Sequence, residues 1–113
     1  MSTNATEHET LFRQLADRLS HDDHRVTRST MMGFPCLRVD GKFFACVERA
    51  TGNLIIKLSA ERVSELVKTG SGRPFAPNGR VFKEWVACPA PARESWTDLL
   101  NEAKAYVDTA RPT

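Results

Sequence analysis

The sequence predicts an α+β fold: a two-layer sandwich with an antiparallel sheet of about five strands and helices on one face. Three observations predict it. An apolar stretch from Phe34 to Val47 alternates with period two and is broken once, by Asp40-Gly41, as a hairpin is. A second turn, Ala50-Thr51-Gly52-Asn53, returns the chain to another apolar strand. Helical segments near both ends carry a single apolar stripe each, so they bury one side against a sheet. The expected order is α-β-β-β-β-α-β-α.

Taken in turn, Thr6 with Glu9 forms a capping box, and Leu11, Phe12, Leu15, Ala16 and Leu19 share one stripe of a helix over about residues 5–20. His21-Asp22-Asp23-His24 has the residue types of a metal or proton site, but no third ligand stands near, so it reads as a polar helix-exit turn. Residues 25–30 are β-branched in character and predict a short strand near an edge.

The hairpin admits two registers. A two-residue Asp40-Gly41 loop opposes Val39 to Lys42 and Leu37 to Phe44. A three-residue loop opposes Val39 to Phe43, Leu37 to Ala45 and Pro35 to Val47, which makes one face wholly apolar. That segregation selects the second register, with Cys36, Arg38, Phe44, Cys46 and Glu48 on the other face.

Residues 53–58 form the next strand, with Leu54, Ile56 and Leu58 inward and Ile55 and Lys57 outward. Ser59 caps a helix over about 60–69 striped by Val63, Leu66 and Val67, and Gly70 ends it. Residues 70–80 are irregular around a single aromatic, Phe75, read as a plug. Residues 81–88 make the last strand, Pro89 and Pro91 end it, and Ser95 caps a final helix striped by Trp96, Leu99, Leu100, Ala103, Tyr106 and Val107.

Length and composition set limits on function. At 113 residues the chain reads as a single domain, 1–113, with about 1–5 and 110–113 frayed. A formal charge of +2 with cations scattered among acids lacks the clustered positive charge of a dedicated nucleic-acid domain. Three cysteines, none at metal-ligand spacing, and no leader-like or membrane-length apolar run suggest a cytoplasmic chain with reduced thiols and no membrane partner. No nucleophile–base arrangement, carboxylate pair or phosphate loop is legible, so neither catalysis nor a cofactor or metal is expected.

Two surfaces stand out. Met31, Met32, Gly33 and Phe34 with Arg73, Phe75, Lys83 and Trp85 combine the residue types of a protein–protein hot spot, although Phe75 and Trp85 also suit core plugs and Met32 a sheet-edge cap. The second sheet face, with Phe44, Cys36, Cys46 and Ile55 and no helix expected over it, suggests a homodimer. The facing pair Cys36 and Cys46 also suits a thiol-dependent activity, or simply two small apolar residues. Arg25, Arg28, Arg38 and Arg80, with Arg73 and Lys83, are the phosphate contacts of an alternative nucleic-acid-binding reading.

Met32-Gly33 within MMGF, LRVDGKFFA from Leu37 to Ala45, the Lys57-Leu58 strand end before a short helix, RPF from Arg73 to Phe75 and KEWV from Lys83 to Val86 together resemble the TfoX/Sxy amino-terminal domain family. The resemblance spans roughly residues 10–109. The chain departs from it where members commonly read Met-Phe-Gly, having Met31-Met32-Gly33, and it has no counterpart of the separate carboxy-terminal domain of longer members. The resemblance implies a small α+β domain, similar to the type III secretion chaperone-like fold. It also implies a non-enzymatic interaction or regulatory role with an unknown protein partner.

Overall fold

The computed structural model describes residues 4–31, 34–48, 51–76, 79–89 and 93–109. Among them, six antiparallel strands form one open sheet in the order β1-β2-β3-β4-β6-β5, and three helices pack on it. The elements are α1 (Asn4–Asp22), β1 (Val26–Met31), β2 (Phe34–Val39), β3 (Lys42–Val47), β4 (Leu54–Lys57), α2 (Ala60–Thr69), β5 (Arg73–Pro74), β6 (Trp85–Cys88) and α3 (Arg93–Thr109).

One core joins the layers. Phe12, Leu15 and Ala16 of α1, Val63 and Leu66 of α2, and Trp96, Leu100, Ala103 and Val107 of α3 meet Leu37, Val39, Phe44, Val47, Leu54, Ile56 and Val86 of the strands. All three helices therefore lie on one side of the sheet, as the single stripes require. Ser59 caps α2 as expected, its hydroxyl accepting from the Arg62 N–H at 3.2 Å, and Gly70 ends the helix in the left-handed region at φ 84°.

The hairpin differs from expectation in one informative place. Val39 faces Lys42 and Arg38 faces Phe43, so the loop is Asp40-Gly41 alone, with φ of 51° and 81°. Those paired positive angles match the twist of the flanking strands. The register then shifts between Leu37 and Arg38, and Leu37 faces Ala45 while Cys36 faces Cys46. Phe44 is thus the extra residue of a β-bulge, and the pairings past it are those expected. The bulge turns Phe44 as well as Ala45 into the main core, and Phe43 to the opposite face. The expected inward Phe43 and outward Phe44 are reversed, because the bulge lies within β3 rather than at the turn.

Other boundaries moved. α1 begins at Asn4, so Thr6 lies inside the helix, and residues 4 and 5 are helical rather than frayed. α3 begins at Arg93, placing Ser95 within its first turn instead of at the cap. The strand expected over 81–88 is shortened to Trp85–Cys88, because Val81 and Phe82 are 57% and 41% exposed and belong to a loop. The Phe82 N–H donates to the Phe75 carbonyl at 3.0 Å, closing that loop. A sixth strand, β5, pairs Arg73 with Ala87 and Pro74 with Val86, at a sheet edge where proline is tolerated. Gly72 precedes it because a Cβ there would stand 2.6 Å from Val86 Cγ2.

Candidate recognition site

The face of the sheet turned away from the helices carries its own small apolar cluster. Cys36, Cys46, Ile55 and Ala87 are buried, with Phe43, Phe75 and Trp85 packed against them. The face expected to expose Phe44, Cys36, Cys46 and Ile55 is therefore corrected: Phe44 is core, and the other three are sealed by aromatic rings and strand neighbours. Phe75 does act as a plug, but on this second cluster, with its ring edge-on to Phe82 at 5.8 Å.

Alternation along the strands then places four side chains in a row across the sheet. Arg38 of β2 and Phe43 of β3 are a cross-strand pair, and the guanidinium carbon stands 4.3 Å from the ring centroid. Lys57 of β4 and Trp85 of β6 are a second such pair, with Nζ 5.9 Å from the ring. The row reads cation, ring, cation, ring over four neighbouring strands, about 14 Å at the usual strand spacing. Each cation is held over a π face, a placement worth about 0.5–1 kcal/mol when solvent-exposed. The Arg38 Nε is itself buried without a hydrogen-bond partner.

One end of the row opens into a cleft of about 510 Å³ lined by Lys42, Phe43, Lys57, Glu84, Trp85, Tyr106 and Val107. It forms where the last turns of α3 meet the ends of β3, β4 and β6. Glu84 Oε1 accepts from the Tyr106 hydroxyl at 3.2 Å and lies 3.9 Å from Lys57 Nζ. Desolvation first, then the Glu84 charge, raise the Tyr106 phenol above its ordinary pKa, so it remains a donor.

The expected hot spot is only partly brought together. Phe75 and Trp85 share the second cluster, and Arg73 is exposed beside Ala87 on the same sheet edge. Lys83 is exposed and lines a different hollow, against α2 with Pro74, Val81 and Phe82. Phe34 starts β2, diagonally across the sheet from Trp85, and pairs with Met31. Met32 and Gly33 lie outside the described residues. Phe43, Lys57, Lys42, Glu84 and Tyr106 were missed. The outward alternation of Lys57 was the available signal, whereas Phe43 was hidden by the bulge.

The arginines of the nucleic-acid reading do not converge. Arg25 binds Asp23, Asp108 and, at 3.5 Å, Asp40, tying the exit of α1 to the hairpin turn and the end of α3. Arg28 pairs with Asp17 of α1. Arg80 is exposed in the loop before β6, and Arg38 alone belongs to the row. The polar segment after α1 is structural: Asp23 Oδ1 accepts the Arg25 backbone N–H at 3.0 Å, and hydrogen bonding to Arg25 holds its carboxyl well below the usual range.

Cys36 and Cys46 do face each other, as buried thiols not joined in a disulfide. The Cys36 thiol donates to the Phe34 carbonyl at 3.4 Å, while hydrogen bonding to Cys36 and burial push the Cys46 thiol far up. Burial raises Cys88 to about 11. Thiols held neutral in this way are poor nucleophiles near neutral pH. Among the described residues, no helix is long and apolar enough to cross a membrane. No family model and no curated protein matches the chain.

Proposed function

We propose that this chain is a non-enzymatic recognition module that docks another protein across the helix-free face of its sheet. The observation that carries this reading is the row of Arg38, Phe43, Lys57 and Trp85, two cation–ring pairs on the face opposite the one where the described helices pack. Aromatic residues and arginine over a dry centre, with charge at the margin, have the composition of an interface hot spot. The resemblance to the TfoX/Sxy amino-terminal domain points to the same class of role.

Two other readings of this face are weaker on charge and geometry. A homodimer through it would press the cationic patch of Arg38, Lys57 and Arg73 onto the same patch of a second copy, since a two-fold interface joins identical surfaces. Stacking of nucleic-acid bases needs open ring faces, and those of Phe43 and Trp85 are occupied by Arg38 and Lys57.

The test is site-directed photo-crosslinking in the native cytosol. A benzoylphenylalanine at position 43 is expected to capture one protein species, identified by mass spectrometry, and Trp85→Ala to abolish the adduct. The same probe at Glu65, on the exposed side of α2, is expected to give none. Equal adducts from both positions, or adducts at position 43 consisting only of a second copy of this chain, would refute the proposal.

A further inference from the structure

We infer that the segment recognised is acidic: an extended peptide with carboxylates at alternate positions and apolar residues between them, one carboxylate taking over Lys57 in the cleft. This inference rests on the recognition reading above and names the partner's chemistry. Three observations carry it.

The first is the charge balance of the row and its cleft. Among the described residues of the row and the cleft lining, Arg38, Lys42 and Lys57 are set against one carboxylate, Glu84. The second is the state of Lys57. Its only ion pair among those described is the 3.9 Å approach to Glu84, at the outer limit of such a contact, and the same Glu84 oxygen already accepts the Tyr106 hydroxyl. A ligand carboxylate at ordinary charge-assisted distance, about 2.8 Å, would displace that contact. Glu84 would keep Tyr106.

The third is spacing. Alternate residues of an extended chain stand about 7 Å apart, and the strands bearing Arg38 and Lys57 are about 10 Å apart. That difference is within the swing of two long side chains. Between the cations lies half-buried Phe43, over which the intervening residue would stand once a carboxylate draws Arg38 aside.

Glu84 thus acts as an internal stand-in for the partner's acid, which makes the inference sharp, because two neighbouring substitutions should act in opposite directions. The probe is an acetylated, amidated eight-residue peptide alternating Glu and Val, titrated at low salt and followed by Trp85 fluorescence. Trp96 is 1% exposed in the core and supplies a constant background. Lys57→Gln is expected to weaken binding about tenfold, the scale of one charge-assisted contact. Lys57→Arg should restore it, and Glu84→Gln should tighten it. Raising the salt should weaken it.

Equal binding of the Gln–Val peptide, no response to either substitution, or tighter binding of an eight-nucleotide oligothymidylate than of the acidic peptide would overturn the inference. If the acidic peptide does not bind while the position-43 crosslink persists, the acidic assignment falls and the recognition module stands. Failure of both removes both.

Discussion

Replacing Phe44 by alanine tests the bulge that organises both faces of the sheet. The Phe44 side chain is fully buried in the main core, whereas Phe43 is half-buried under the Arg38 guanidinium. A buried phenylalanine removes about 150 Å² of apolar area from water, and about 25 cal/mol/Å² makes this about 4 kcal/mol. That agrees with the ~3–5 kcal/mol usual for Phe→Ala in cores. Phe43→Ala loses roughly half that area together with a cation–π contact, about 2.5–3 kcal/mol in all. Urea denaturation measures the gap: with a slope of about 2 kcal/mol/M, the Phe44→Ala midpoint should fall about 0.5–0.8 M below that of Phe43→Ala. Phe44→Leu supplies a milder variant should alanine unfold the chain. Equal midpoints, or the reverse order, would mean that β3 runs without its bulge and that Phe43 is the core residue.

Three further outcomes follow from the same geometry. Gly72→Ala forces a Cβ to within 2.6 Å of Val86 Cγ2 and should destabilise by about 1–3 kcal/mol, read as a fall in melting temperature. Gly41→Ala, at φ 81°, should lower stability by about 1 kcal/mol, while Asp40→Asn, at φ 51°, should be close to neutral, the tolerance of asparagine for the left-handed region offsetting the lost 3.5 Å ion pair with Arg25. Asp23 has its carboxyl pKa depressed below 3.8 in the folded state, so its stabilising contribution is complete above that value and is lost as pH falls through the folded pKa. Asp23→Asn should therefore lower stability at neutral pH and flatten the acid limb of the stability curve, measured by thermal melts from pH 7 to pH 2; an unchanged acid limb would show that the Arg25 link is not formed.

Much of this architecture is legible in the residues themselves. The stripes of Phe12, Leu15 and Ala16, of Val63 and Leu66, and of Trp96, Leu100 and Ala103 specify one-sided helices, and the alternation from Leu54 to Lys57 specifies which side chains face them. Ser59 and Gly70 mark the ends of α2 through local hydrogen bonding and a positive φ, both properties of single residues. Phe43 and Phe44 show where such reading stops. Two adjacent phenylalanines satisfy either a turn bulge or a strand bulge, and only packing of Phe44 against the helices decides between them. Val81 and Phe82 read as strand by propensity, but a turn closed by the Trp85 N–H on the Phe82 carbonyl at 3.2 Å separates them from β6. The row of cations and rings was legible in pieces, as the outward Lys57 and the outward Arg38. Its assembly was hidden because it depends on register across four strands, which no local pattern encodes.

The two margins of the sheet are not equivalent. One ends in Arg73–Pro74, two residues long and lacking one amide hydrogen, so a further strand finds little to hold there. The other ends in Val26–Met31, six residues long, β-branched and hydrogen-bonded on one side only. Any strand added to this sheet would therefore be expected at β1 and not at β5. A proline at Thr30, whose amide points away from β2, would blunt that edge and leave the pairing with β2 intact.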